Sequence, residues 1–238
     1  MGPQNIEPGR RVLDSARATG IAAMPDFRFE SEIAGPVAGL DEAGRGPWAG
    51  PVFAAAVILD ARRLPAFLRD GLDDSKALSA KARAALDQAL RHAARGGLAR
   101  LALGAASATE IDARNILQAT FLAMRRALLA LGPPPALALI DGNRAPTLPC
   151  PVRTIIGGDA LSLSIAAASI LAKVARDRLM ARLGSRYPEY GWERNAGYGT
   201  PSHRAALAAH GPTPHHRMSF APLAPWRDLT PNPESPTH

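Results

Sequence analysis

Residues 37–59 read VAGLDEAGRGPWAGPVFAAAVIL. Two apolar runs, Val37 to Asp41 and Val52 to Leu59, flank a connection rich in glycine and proline. Apolar runs of this length bounded by turn residues read as buried strands, and a bendable connection between them fits neighbours in one sheet. The first run ends in two acids side by side, Asp41 and Glu42. Adjacent carboxylates repel one another, so a chain that keeps them together has either a solvated turn or a bound cation there.

Working outward, helical and extended patterns alternate. Ala82, Leu86, Ala89, Leu90 and Ala93 recur at helical spacing, which predicts a helix from Ser79, a plausible N-cap, to Arg95, stopped by Gly96-Gly97. Leu98 to Gly104 predicts a third strand. The stretch from Ser107 holds one or two helices, ended by Gly132 and three prolines. Ala136 to Asp141 and Val152 to Ile156 are short strands, Leu161 to Leu183 a long helix, and Pro201 to His210 a shorter one. Early neighbouring strands followed by strand–helix alternation give an α/β class with a central mixed β-sheet flanked by helices. Residues 1–34 lack sustained periodicity and read as a flexible N-terminal extension. Residues 35–221 form one domain, and residues 222–238 are a proline-rich flexible tail.

The 238 residues suffice for one substantial core, and 47% hydrophobic content argues against wholesale disorder. A net charge of +7 suits a polyanionic partner, nucleic acid before an anionic membrane. The single cysteine, Cys150, excludes an internal disulfide and a cysteine zinc cluster. No apolar run reaches the ~18 residues of a membrane span, and the N-terminus lacks an apolar signal region. The expectation is a soluble, cytoplasmic protein without a membrane partner.

Two further acids occupy positions like that of Asp41. Asp141 ends the fourth strand, and Asp159 follows Gly157-Gly158 ahead of the long helix. Strand ends along one edge of an α/β sheet are where ligands collect. Carboxylates converging there need a cation, and hard oxygen ligands select Mg²⁺ or Mn²⁺ over zinc. Beside a basic surface, such a cluster suits two-metal phosphodiester cleavage. Each acid also has a plainer reading. Asp159 could cap the helix, Asp177 lies one turn after Lys173 as a surface ion pair would, and His215-His216 read as loop residues near a phosphate or solvent. The glycines of GRGPWAG could cradle a nucleotide phosphate, but the Gly-Lys-Ser/Thr ending of such loops is missing.

The ordered set GLDEAGRGPWAGPVFAAAVIL, LDDSKALSAKAR, EIDARNILQATFLAM, LIDGNRAP, SIAAASILAKVARDRLM, GYGTPSHRAAL and HGPTPHHRMSF, from about Val37 to Phe220, closely resembles the ribonuclease HII (type 2 ribonuclease H) family. That resemblance implies a ribonuclease H-like fold with a small C-terminal helical portion. It implies a monomeric endonuclease that cuts the RNA strand of RNA–DNA hybrids and single ribonucleotides embedded in duplex DNA, using Mn²⁺ or Mg²⁺. By motif, the catalytic and metal-binding acids fall on Asp41, Glu42, Asp141 and Asp159. Substrate-binding positions fall on Gly44, Arg45, Gly46, Lys76, Ser169, Lys173 and Tyr198, the tyrosine stacking on the sugar beside the ribonucleotide.

Two departures from the family pattern stand out: Trp48 replaces a more frequent leucine, and Ala196 a frequent lysine, which bears on substrate affinity. A sliding-clamp contact has no clear cue, since PLAPWRDL near the C-terminus is too short to decide it. A catalytically silent nucleic-acid-binding module and a phosphate-loop nucleotide binder are the rival classes. The first has no need of four acids, and the second lacks the rest of its motif.

Overall fold

The computed structural model describes residues 24–72 and 78–227. Its sheet has five strands in the order β3-β2-β1-β4-β5: β1 Val37–Ala43, β2 Val52–Leu59, β3 Ala99–Ala106, β4 Leu137–Asp141 and β5 Val152–Ile155. The first three are antiparallel neighbours, while β4 and β5 run parallel to β1. This is the mixed α/β sheet that the order of strands and helices leads one to expect. The helices are α1 Arg28–Ser31, α2 Ala66–Gly71, α3 Ala80–Arg95, α4 Ala108–Arg114, α5 Ile116–Ala130, α6 Leu163–Arg186, α7 Trp192–Asn195, α8 Pro201–His210 and α9 Ala224–Arg227.

Local signals account for most boundaries. Ser79 caps α3 by accepting from the Ala82 N–H, and Ser107 and Glu110 form a reciprocal capping box at α4. Asn115 separates α4 from α5 and caps the latter through the Gln118 N–H. The long helix α6 is capped by Ser162, so the capping alternative for Asp159 does not hold; Asp159 sits in a 3₁₀ turn, Gly158–Ala160.

The sheet alternates its side chains between two cores. Ala38 and Leu40 of β1, with Ala54 and Ala56 of β2 and Ile140 of β4, pack on Ala119, Ala123 and Ala127 of α5. On the other face Ala55 and Val57 meet Ala166, Ala167 and Ile170 of α6 and Leu90 of α3. Small residues bring α6 close. A Cβ on Gly39 would overlap the backbone of Ser164 and Ile165, so only glycine lets α6 lie directly on β1. A third core, built from Ala49, Met180, Tyr190, Trp192, Leu207 and Leu223, joins the C-terminal helical portion to the end of α6.

Both domain edges reach further than periodicity suggests. Within the expected N-terminal extension, Asp26 pairs by its backbone with Leu161 and Leu163. The Glu30 carboxylate accepts from Ser162 Oγ at 2.7 Å and the Ser164 N–H at 3.0 Å, a favourable place for a negative charge at the start of α6. Within the expected tail, Leu223 is fully buried. Short stretches carry these contacts, with Phe27, Phe29 and Ile33 packing at one edge and Leu223 and Trp226 at the other, and stretches this short leave little period to read. Residues 1–23 and 228–238 lie outside the described residues. Among the described residues, no helix is long and apolar enough to cross a membrane.

The tight β1–α6 contact yields a first prediction. Gly39→Ala inserts a Cβ against backbone that cannot rotate away, and should destabilise the protein by about 3 kcal/mol, measured by urea unfolding.

Candidate functional site

The register of β1 and β4 brings the first two acids together. Leu40 lies opposite Ile140, so Asp41 and Asp141 follow at the same level on adjacent parallel strands. Both share the α6 face of the sheet with Gly39 and Leu139. Asp159 arrives from the turn after β5. One carboxylate oxygen from each of Asp41, Asp141 and Asp159 lies within 4.8 Å of the other two. Asp141 Oδ1 is oriented by the Gly158 N–H at 2.7 Å, which ties it to the turn bearing Asp159.

Glu42 is not one of these three mutually close carboxylates, although its charge acts on Asp41. The strand continues through Glu42 to Ala43, two residues past the expected end, so the pleat turns Glu42 to the opposite face from Asp41. Its carboxylate meets the Arg45 guanidinium at 3.3 Å.

Asp41 and Asp159 are each only 5% exposed. Burial, then the charges of Glu42 and Asp141, push the Asp41 carboxyl well above the usual carboxylate range, against the pull of hydrogen bonds from Ser169 and the Glu42 N–H. Three acids this close, two of them buried, form a poor resting state for anions. They form a good one for a hard divalent cation, whose all-oxygen donor set they match. Ser169 is thus beside the triad, on α6. Lys173, one turn on, holds Asp177 at 2.7 Å, the i,i+4 pair its spacing predicts. Lys76 lies outside the described residues.

The loop between β1 and β2 is held by two arginines that the sequence did not single out. Arg176 donates to the carbonyls of Pro51 at 3.1 Å, Ala49 at 3.1 Å and Ala196 at 2.9 Å. Arg217 donates to those of Gly50 at 2.9 Å, Arg45 at 2.8 Å and Gly44 at 2.5 Å. Burial pulls Arg176 down to about 10 and Arg217 down to about 9, so both stay charged at neutral pH. A trans peptide points its N–H opposite to its C=O. With the Gly44 and Arg45 carbonyls turned to Arg217, the N–H groups of Arg45 and Gly46 face the other way, at exposed residues. Gly44 has φ +93, and a Cβ there would collide with the Arg176 side chain. Gly46 lies beneath Tyr198, whose ring is half exposed. A signal for Arg176 existed: it falls on the stripe Ile165, Ser169, Ala172, Arg176, Met180, a charge on a buried helical face. Arg217 offered none.

The histidines are not where their loop suggested. His216 is 2% exposed and His203 is fully buried, their Nε2 atoms 3.0 Å apart, among Trp192, Tyr190 and Trp48. Aromatic packing, rather than phosphate or solvent, surrounds this pair. His215 is half-buried and its backbone carbonyl accepts from the Gly50 N–H. Trp48 packs its ring against His203 and Arg204, a packing role for this unusual residue.

Two predictions follow from the charges. In chelator, Asp41→Asn should melt above the unsubstituted protein, because one member of a repelling set is gone. Mg²⁺ or Mn²⁺ at a hundredfold excess over Kd should stabilise the unsubstituted protein by about 2.7 kcal/mol and the variant far less, by calorimetry. Burial, followed by the charge of His203, pulls His216 from 6.5 down to about 3. The unfolded chain therefore binds the extra proton first, and stability is lost as pH falls from about 6.5 towards 3, by up to about 1.4 kcal/mol per pH unit. His216→Gln should flatten that acid limb in unfolding measured from pH 7 to 4.

Comparison with known proteins agrees with the geometry. Residues 38–223 match the family described as Ribonuclease HII. The Ribonuclease HII of Paramagnetospirillum magneticum is 61% identical over 203 residues, 85% of this chain and 98% of that protein. Among solved structures, ribonuclease H2 from Pyrococcus horikoshii superposes with a TM-score of 0.68 at 25% identity, covering 82% of this chain and 98% of that one. The RNase HII of Archaeoglobus fulgidus, solved as a complex with PCNA, gives 0.63 at 27% identity over 78% and 95% of the two chains. Matched over most of its length in both sequence and fold, the chain belongs to the ribonuclease HII family of metal-dependent ribonucleases H.

Proposed function

We propose that the protein hydrolyses the RNA strand of RNA–DNA hybrids and cuts on the 5′ side of single ribonucleotides embedded in duplex DNA, leaving 3′-hydroxyl and 5′-phosphate ends. The observation that carries this reading is the convergence of Asp41, Asp141 and Asp159 on one point. In this reading Asp41, Asp141 and Asp159 would hold Mg²⁺ or Mn²⁺, with Glu42, whose charge acts on Asp41, as the fourth acid of the set. Bound there, the metal would supply Lewis-acid chemistry at the scissile phosphate and activate water for the attack.

The chain's own residues select and place the substrate. The outward N–H groups of Arg45 and Gly46 are donors to a ribose 2′-hydroxyl, the group that separates RNA from DNA. Gly44 and Gly46 let the sugar approach that edge closely. The planar fork of Arg45, half exposed, suits an adjacent phosphate. Tyr198 offers its exposed ring as a stacking surface for the neighbouring sugar. Ser169 holds Asp41 in place from α6. Lys173 offers its ammonium to the phosphate backbone, and the family resemblance assigns Lys76, outside the described residues, the same role. The partner this reading names is nucleic acid.

The test is cleavage of a DNA duplex carrying one ribonucleotide, with the cut site mapped. Chelator should abolish cutting, and Mg²⁺ or Mn²⁺ should restore it. Asp141→Asn should keep the fold and hybrid binding yet lose about 10³-fold in rate, equivalent to several kcal/mol of lost charge stabilisation. Full activity in that variant, or cutting in chelator, would overturn the reading.

A further inference from the structure

We propose that His203 is a positioning residue for Tyr198, holding its backbone carbonyl through an imidazole whose tautomer is fixed by His216. The assignment follows from hydrogen-bond capacity alone. His203 Nδ1 lies 2.9 Å from the Tyr198 carbonyl oxygen, which can only accept, so Nδ1 carries the hydrogen. Nε2 of the same ring must then be the acceptor. It receives the Trp192 indole N–H at 3.2 Å and faces His216 Nε2 at 3.0 Å. His216 Nε2 therefore donates, which leaves its Nδ1 as an acceptor. There it takes the Thr213 N–H at 2.9 Å and lies 3.1 Å from Thr213 Oγ1. One arrangement of hydrogens satisfies every atom of the two rings, and both rings are neutral in it.

The relay thus runs from Thr213 through His216 and His203 to the Tyr198 carbonyl. That carbonyl also accepts the Thr200 N–H at 2.8 Å, and the Tyr198 N–H goes to the Asn195 carbonyl at 2.8 Å. The Tyr198 ring is 50% exposed beside Gly46, so its placement depends on its backbone. A neutral histidine in water exchanges its hydrogen between the two nitrogens. Here an exchange would remove the donor to Tyr198 and set two further donors against an N–H.

The inference rests on Tyr198 touching the substrate as proposed above, and the experiment separates the two. Steady-state cleavage of the single-ribonucleotide duplex is measured with Tyr198→Ala, His203→Asn and His203→Gln, each with its melting temperature. The asparagine amide nitrogen falls near the place of Nδ1 and keeps the donor to Tyr198. The glutamine amide reaches the place of Nε2 and loses that donor. Both variants lose the ring and should be destabilised alike.

The expected result is a KM raised about tenfold in His203→Gln with little change in kcat, and a KM within about threefold of the unsubstituted value in His203→Asn. Equal KM values in the two His203 variants, with Tyr198→Ala impaired, would overturn the positioning role and leave Tyr198 as a substrate contact. An unchanged KM in Tyr198→Ala would overturn both. Nitrogen-15 NMR of the unsubstituted protein gives a check independent of folding in the variants: His203 should be protonated at Nδ1 and His216 at Nε2. The opposite tautomer at His203 would sink the proposal.

Discussion

The guanidinium groups of Arg176 and Arg217 are buried, and their hydrogen-bond partners are six peptide carbonyls, five of them in the loop between β1 and β2. Removing a charge from water costs several kcal/mol, and three charge-assisted bonds at about 1.5–3 kcal/mol each are of the same order. The two effects nearly offset, so the arrangement contributes geometry more than net stability. Arg176 comes from the helix that covers the sheet, and Arg217 from the C-terminal portion. Between them they tie three separate parts of the chain to one loop. Backbone pairing reinforces the tie: Trp48 and Ala49 donate to the Gly197 carbonyl, and Arg217 donates its N–H to Trp48. With the Gly44 and Arg45 carbonyls turned inward, the N–H groups of Arg45 and Gly46 turn outward.

Electrostatics and position agree around that loop. Cations face carbonyl oxygens on its inner side, while carboxylates gather at the ends of β1 and β4 and in the turn after β5. Asp41 is the acid under most stress, because burial and two neighbouring charges act on it together. Ser169 and the Glu42 N–H relieve part of that stress and fix its direction. Glu42 takes a different environment one residue away, on the other side of the pleat, with Arg45 as its partner. Two adjacent acids therefore have different nearest partners while their charges still act on each other. Adjacency in sequence hid this, since successive strand residues diverge.

Much of the architecture was legible because it rests on short-range patterns. Ser79 as N-cap, Gly96-Gly97 as a stop, and Pro201 to His210 as a helix all depend on residues within a few positions of one another. Asp141 at the end of β4 was legible for the same reason, following an apolar run and preceding a glycine, whereas β1 runs two residues past Asp41. His203 and His216 were not. Thirteen residues separate them, and each becomes meaningful only when Tyr190 and Trp192 enclose both. Glu30 was missed likewise, because its partners at the start of α6 lie 132 and 134 positions along the chain.

By itself, then, the sequence determined the periods, caps and turns of the chain, the mixed character of the sheet, and the acid that ends β4. These are local properties, set by side-chain spacing and backbone preference. Tertiary structure decided which face each acid occupies, which carbonyls the arginines hold, and which tautomers the histidines adopt. Arg217 reaches Gly44 across 173 positions. No local pattern encodes such a bond, because its existence depends on the packing that brings the two segments within hydrogen-bonding distance.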